Sequence, residues 1–293
     1  MMYGLKRIAK YLLGTDIAGR GLAVRPDDTF IVSYPRSGNT WTRFLVANLL
    51  HPDKSISFAN IEQLIPDCEA QSSRFMKRIP GPRLIKSHEY FDPRYRKVLY
   101  IVRDPRDVVL SYYDFARKYR QIGDSYPLAS FVSDFVAGRL SSADWGTWGE
   151  NVASWVHTRR GNPSFLLLRY EDMLNDTVGE LARVAAFFGV SADPKLLAAA
   201  VERSSAERMR GMEAQQADQW VTTKSRRSDI PFVRTAAHGL WQEKLPASSV
   251  AEIEAAWGPL MAGLGYEPSS SAPHDDQPSM FPNLSTKSVG AIR

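Results

Sequence analysis

Residues 30–50 read FIVSYPRSGNTWTRFLVANLL. Phe30, Ile31 and Val32 belong to a run that reads as a buried strand, and from Thr40 onward the apolar residues take helical spacing. Between them, Tyr34-Pro-Arg-Ser-Gly-Asn-Thr-Trp41 is a strand-to-helix turn. In an open α/β sheet such a turn lies at the carboxyl end of its strand, where the unpaired amides and the dipole of the helix face an anion. Gly38 lets backbone approach that anion, Ser37, Asn39 and Thr40 offer hydrogen bonds, and Arg36 adds a fixed positive fork. The nucleoside triphosphatase loop needs G-x-x-x-x-G-K-[ST], and its first glycine and its lysine are missing here. Cleavage of a β–γ phosphate bond is therefore poorly provided for. Taken by itself, the turn also reads as a strand-to-helix connection with a polar cap.

Apolar β-rich runs recur at 29–34, 83–87, 97–102 and 164–170, and helical spacing appears at 40–50, 105–119, 126–137, 147–160, 177–188, 194–203 and 249–263. This alternation predicts an α/β fold, a mainly parallel β-sheet flanked by helices, with a P-loop-like turn at 34–41. Pro127 falls near the start of its helix, where proline is tolerated. At 293 residues the chain is longer than a typical domain of ~100–200 residues, yet α/β folds of this size form one globule. The reading is an N-terminal helical extension at 1–27, one domain at 28–266, and a flexible tail at 267–293 that is rich in proline and serine. Within the domain, residues 218–236 are basic, polar and long for a loop, which fits a lid.

Hydrophobic residues make up 44% of the chain and charged ones 24%, which supports a full core and excludes disorder of the whole chain. Lys and Arg number 37 against 32 Asp and Glu, an excess that favours anionic ligands without choosing among them. The single cysteine, Cys68, excludes an intrachain disulfide and a thiolate-rich metal site. No apolar run of signal-peptide length opens the chain, and nowhere do ~18 apolar residues run uninterrupted. No transmembrane segment is expected, and a cytoplasmic location is. Leu5, Ile8, Ala9, Leu12 and Leu13 have helical spacing with Lys6, Arg7 and Lys10 between them, a pattern shared by helices packed on their own domain and helices on a membrane surface.

The turn resembles the 5′-phosphosulfate loop of the sulfotransferase family, enzymes that use 3′-phosphoadenosine 5′-phosphosulfate (PAPS). That loop reads Tyr-Pro-Lys-Ser-Gly-Thr-Thr-Trp in the cytosolic members. A second stretch, YIVRDPRDVVLSYYDFAR at 100–117, resembles the family's 3′-phosphate segment, with Arg103 and Ser111 at its phosphate-binding positions. Physically, Arg103 leaves a strand end and Ser111 lies two turns into the next helix, so both can reach one anion. Tyr170-Glu-Asp172 resembles the family's Tyr-Glu-Asp near the adenine, and by the same resemblance Trp41 stacks on the base. SSAERM at 204–209 resembles Thr-Ser-Phe-x-x-Met, with Ser204 at the threonine and Ala206 where a second aromatic stands. FVRTAAHGLW at 232–241 resembles Arg-Lys-Gly-x-x-Gly-x-Trp, which implies Arg234 at the 3′-phosphate and Thr235 in place of the lysine. The resemblance runs from about residue 28 to 265.

RLIKSHEYF at 83–91 supplies the chemistry. His88 follows a strand end, and an imidazole of pKa near 6.5 suits a base near neutrality. Lys86, two residues earlier, shares its face if the strand continues. The segment resembles the family's Lys-Thr-His, which implies His88 as catalytic base and Lys86 as a partner of the sulfonate. Arg36 stands where the family has the lysine that contacts the oxygen bridging phosphate and sulfate. Because arginine keeps its proton in a protein, its expected part is electrostatic stabilisation of the leaving group. The resemblance thus implies transfer of a sulfonate from PAPS to an acceptor hydroxyl, less readily an amine, with PAP as product and no metal. No His, Cys or carboxylate cluster has metal-ligand spacing. The acceptor, a small molecule, glycan or lipid, and the oligomeric state stay open, and no nucleic acid is expected. Two other readings stand beside this one. A kinase or other phosphoryl transferase shares the fold class but wants the missing magnesium pair, and a non-catalytic nucleotide or polyanion binder leaves His88 and Lys86 without a task.

Overall fold

A computed structural model describes residues 16–233 and 237–269. Its centre is a four-stranded parallel sheet in the order β2-β1-β3-β4, with β1 at Thr29–Ser33, β2 at Leu84–Ser87, β3 at Lys97–Val102 and β4 at Phe165–Arg169. Ile31 of β1 lies opposite Lys86 on one side and Leu99 on the other. Both faces of the sheet are covered, which is why its strands read as continuous apolar runs. Successive side chains alternate between two cores: Phe30, Val32, Val98 and Tyr100 enter one, and Ile31, Leu99 and Ile101 the other.

Among the described residues eight helices reach nine residues or more: α1 (Asn39–Leu50), α2 (Pro105–Lys118), α3 (Leu128–Val136), α4 (Trp148–Arg159), α5 (Thr177–Phe188), α6 (Pro194–Arg203), α7 (Ala206–Gln216) and α8 (Ala247–Gly263). Phe44, Leu181 and Leu197 bring α1, α5 and α6 onto one face, while Val109, Phe131, Trp155 and Ile253 bring α2, α3, α4 and α8 onto the other. The strands and seven of these helices lie where the apolar spacing puts them. The exception, α7, buries only Met209 and Glu213, so it carries no apolar stripe to read. Local chemistry sets the helix starts. The Asp104 side chain accepts the Arg106 amide ahead of Pro105, Thr147 and Glu150 form a capping box, and Pro127 stands extended just before α3.

Of the expected helical extension, residues 1–15 lie outside the described residues, and 16–27 hold as their one helical element a 3₁₀ turn at Gly19–Gly21, after a bridge from Ile17 to Ser72, with Ala18 and Leu22 in the core. At the other end the Glu267 carbonyl accepts from Arg106 Nη1 (3.0 Å) and the Ser269 amide donates to Glu254 (2.9 Å), and the expected tail beyond lies outside the described residues. Of the stretch 218–236, expected to form a lid, the residues up to 233 are held down on the domain. Trp220 is buried and donates to Glu62 Oε1 (3.0 Å), Lys118 Nζ donates to the Arg227 (2.8 Å) and Ile230 (2.6 Å) carbonyls, and Glu213 accepts from the Phe232 and Val233 amides. Among the described residues no helix is long and apolar enough to cross a membrane. The chain leaves β1 toward β2 on one side and β3 toward β4 on the other, so a crevice opens at the carboxyl ends of β1 and β3.

Candidate active site

After β1 the chain turns into Arg36, whose φ of 69° lies in the left-handed region. A side chain there costs about 1 kcal/mol or more. Arg36 Nε donates to Ser111 Oγ (3.1 Å), and the guanidinium lies 5.0 Å from the centre of the Phe115 ring and 4.8 Å from that of Phe232. Gly38 has a φ of 95°, and a Cβ at this position would stand 2.4 Å from the Tyr170 ring. Glycine is therefore required both by backbone handedness and by the ring against it. The α1 helix starts without a side-chain cap, and its first backbone bond runs from the Thr42 amide to the Gly38 carbonyl (3.1 Å). The amides of Asn39, Thr40 and Trp41 precede that ladder and are the ones a helix start offers to an anion.

Arg103 follows β3. Its guanidinium lies 4.3 Å from the Tyr170 ring centre, and Nη2 and Nη1 donate to the carbonyls of Ala237 (3.1 Å) and Arg36 (3.4 Å). Arg103 Nε and the fully buried Ser37 hydroxyl have no hydrogen-bond partner among the described residues. Two buried donors left unmatched beside an open helix start fit an oxyanion-bearing ligand. Arg103 lines a cavity of about 540 Å³ whose walls also include Arg36, Trp41, Lys86, His88 and Ser111; Ser37 is not among its lining residues, although its chain neighbours Arg36 and Gly38 are.

At the end of β2, His88 Nδ1 lies 2.7 Å from the Ser33 carbonyl and 3.4 Å from the Ser33 hydroxyl. A carbonyl only accepts, so Nδ1 carries the ring proton and Nε2 keeps its lone pair. Burial first, and then the Lys86 charge, push the His88 pKa down from 6.5 to about 4, against the opposing pull of Glu69 and Asp67. Lys86 is itself 6% exposed, with Nζ 3.0 Å from Asp67 Oδ2 and 3.0 Å from Glu69 Oε2. Burial works to lower its pKa, but Asp67 and Glu69 outweigh burial and hold it above the usual lysine value.

Arg36, Gly38, Asn39, Thr40, Trp41, Lys86, His88, Arg103, Ser111 and Tyr170, expected from separate motifs, line this one cleft. Two side chains, Asn39 of this set and Ser204, are placed differently from expectation. The Asn39 side chain donates back to the Ile31 carbonyl (3.3 Å) and Ser33 hydroxyl (3.1 Å), tying α1 to β1 and leaving its backbone amide for a ligand. Ser204 is fully buried; its hydroxyl accepts from Asn48 (3.1 Å) and its carbonyl from Trp41 Nε1 (3.0 Å), so it orients the indole from behind. Arg234 and Thr235 lie outside the described residues.

Sequence reasoning missed Asp67, Glu69, Phe115 and Phe232. Phe115 is one helical turn after Ser111 and was readable from that spacing. Asp67 and Glu69 come from the 55–82 connection, which has no periodic signal. The first turn of α2 also ties down the far side of the cleft, for Asp107 accepts from the amides of Gly239 (2.6 Å) and Trp241 (3.1 Å). Among the described residues no group of three or more His, Cys, Asp or Glu side chains is arranged to hold a metal ion.

A family model described as "Sulfotransferase domain" matches residues 26–265. Sulfotransferase 4A1 of Homo sapiens is 36% identical over 192 residues, which cover 61% of this chain and 66% of that protein. The match thus spans just under two thirds of that relative's length. Sulfotransferase 1A1 of Mus musculus is 26% identical over 275 residues, covering 88% of this chain and 93% of that protein. Among solved structures, mouse sulfotransferase SULT7A1 complexed with PAP shares the fold with a TM-score of 0.69 at 24% identity, covering 83% of this chain and 87% of that one.

Proposed function

The chain belongs to the sulfotransferase family, and we propose that it transfers a sulfonate group from PAPS to an acceptor hydroxyl, with His88 as general base. The observation that carries this reading is the Nδ1 contact to the Ser33 carbonyl, which leaves Nε2 as the basic nitrogen of a ring lining the cleft. His88 takes the acceptor proton as the acceptor oxygen bonds to sulfur, and the bond from sulfur to the phosphate oxygen breaks. Arg36 meets the charge that grows on that phosphate oxygen, held for the task by Ser111 and the two phenyl rings. Lys86 presents its ammonium to the sulfonate. The helix-start amides, Ser37 and Arg103 are the groups suited to the phosphates of donor and product, and Trp41 and Tyr170 form the wall suited to adenine. The acceptor is a small molecule, glycan or lipid whose hydroxyl reaches His88.

The test pairs binding with turnover. His88→Ala should keep its affinity for PAP in calorimetry and lose at least about a hundredfold in the rate of transfer from radiolabelled PAPS to the best acceptor in a panel of phenols, aliphatic alcohols and sugars. Loss of PAP binding in this variant would make His88 a structural residue. Stabilisation by ATP with magnesium but not by PAP would replace the reading with phosphoryl transfer.

A further inference from the structure

We propose that Asp67 and Glu69 are positioning residues for this transfer, holding Lys86, the Ser87 hydroxyl and the His88 main chain as one unit on the cleft wall. The inference rests on the proposed sulfonate transfer and adds to it two residues that stand in none of the motifs.

The backbone sets the arrangement. The Lys86 amide donates to the Pro66 carbonyl (2.8 Å) and the Cys68 amide to the Lys86 carbonyl (3.1 Å), so 66–68 pair with the free edge of β2 and Asp67 stands opposite Lys86. Glu62 fixes the start of this segment by accepting the Asp67 amide (2.9 Å). Asp67 Oδ1 accepts the Glu69 amide (2.9 Å), and the chain bends so that the Glu69 carboxylate lies over the strand end. One Glu69 oxygen takes Lys86 Nζ (3.0 Å), and the other takes the Ser87 hydroxyl (3.3 Å) and the His88 amide. A single carboxylate therefore spans three consecutive residues of β2 and its exit.

Two consequences for the chemistry follow. A lysine this buried loses its proton readily unless carboxylates are paired with it, and only as an ammonium can it face a sulfonate. The pair also carries one negative charge more than Lys86 offsets, beside the ring that becomes an imidazolium in the reaction. The titratable groups that face Lys86 are Asp67, Cys68 and Glu69 from the connection, His88 at the end of its own strand, and Tyr119 after α2. Of these, Asp67 and Glu69 are the two that hold the proton on Lys86. Removing either charge lets Lys86 deprotonate at lower pH, so the rate should then fail on the alkaline side.

The variants are Asp67→Asn, Glu69→Gln and the conservative Glu69→Asp. Each is followed by PAP calorimetry and by single-turnover transfer from radiolabelled PAPS to an aliphatic alcohol, whose hydroxyl does not ionise between about pH 6 and 10. Asp67→Asn and Glu69→Gln should bind PAP within about threefold of wild type, lose at least about tenfold in rate at neutrality, and show an alkaline limb absent from wild type; Glu69→Asp should recover part of the rate. Should Glu69→Gln fail to fold, Asp67→Asn carries the same test. Unchanged rates, lower rates without the alkaline limb, or loss of PAP binding would each overturn the proposal. Wild-type protein that binds PAP but transfers no sulfonate would overturn the transfer reading and this role with it, whereas active wild type with indifferent variants sinks this inference alone.

Discussion

Gly38 meets two demands that no other residue satisfies together: a φ of 95° and room for the Tyr170 ring at the distance of a missing Cβ. Gly38→Ala should cost about 2–4 kcal/mol in urea unfolding and weaken PAP binding by more than about tenfold, because either the ring or the helix start must move. Retained affinity would show that the ring yields without disturbing the amides. His88 bears on pH. With its pKa pushed down to about 4, the ring stays neutral well below pH 6, so single-turnover transfer should be flat from about pH 6 to 8. A fall centred near 6.5 would mean that His88 titrates like an ordinary histidine. Its neighbour Glu89 has the opposite shift. It is fully buried, its two oxygens have no hydrogen-bond partner among the described residues, and burial first, with Glu69 behind it, raises its pKa to about 8. The unfolded chain releases this proton near the ordinary carboxylate value and the folded one only near 8. Stability is therefore greatest below about pH 4.5 as far as this group is concerned, and declines as pH rises toward 8. Glu89→Gln should remove most of that decline in melting temperature between about pH 5 and 8; an unaltered slope would place it elsewhere.

Among the elements, α2 holds two segments at its two ends. Asp107 in its first turn holds Gly239 and Trp241, and Lys118 in its last holds the carbonyls of Arg227 and Ile230. Lys118→Met should strip both carbonyl bonds and leave the Glu213 carboxylate without its ammonium, at a cost of about 2–4 kcal/mol. Hydrogen exchange should then quicken across 220–233, and unchanged protection would mean that Trp220 and Glu213 hold this segment by themselves. The framework of elements was legible because strong punctuation separates long apolar runs: the Pro-Arg-Ser-Gly turn before α1, Asp-Pro before α2, and Thr147 with Glu150 at α4. What stayed hidden has local causes. Helix α7 offers no stripe, and Asn39, read as a donor to the ligand, spends its amide on β1 because an N-terminal helical side chain can reach back to the strand it follows. A lysine at position 86 buried to 6% exposure demands carboxylate partners, but nothing in the order of residues says that they lie seventeen and nineteen positions earlier.

For the molecule as a whole, binding and stability are linked. PAP at about a hundred times its dissociation constant should stabilise the fold by about 2.7 kcal/mol, a rise of roughly 4–5 °C in melting temperature for a chain of this size. No rise with PAP would speak against the cleft as its site. The strand order carries a last consequence. The loop holding Arg36 and the exit holding Arg103 leave β1 and β3, the two strands with neighbours on both sides, whereas Lys86 and His88 lie on and just beyond β2, whose outer edge pairs with residues 66–68. A change at either central strand disturbs both cores, whereas a change along the outer edge reaches Lys86 through Asp67 and one core through Cys68 and Ile85. On the proposed function, an alteration at that border would therefore strike the transferring end of the cleft while leaving both central strands, and with them the turn at 34–41 and Arg103, as they are.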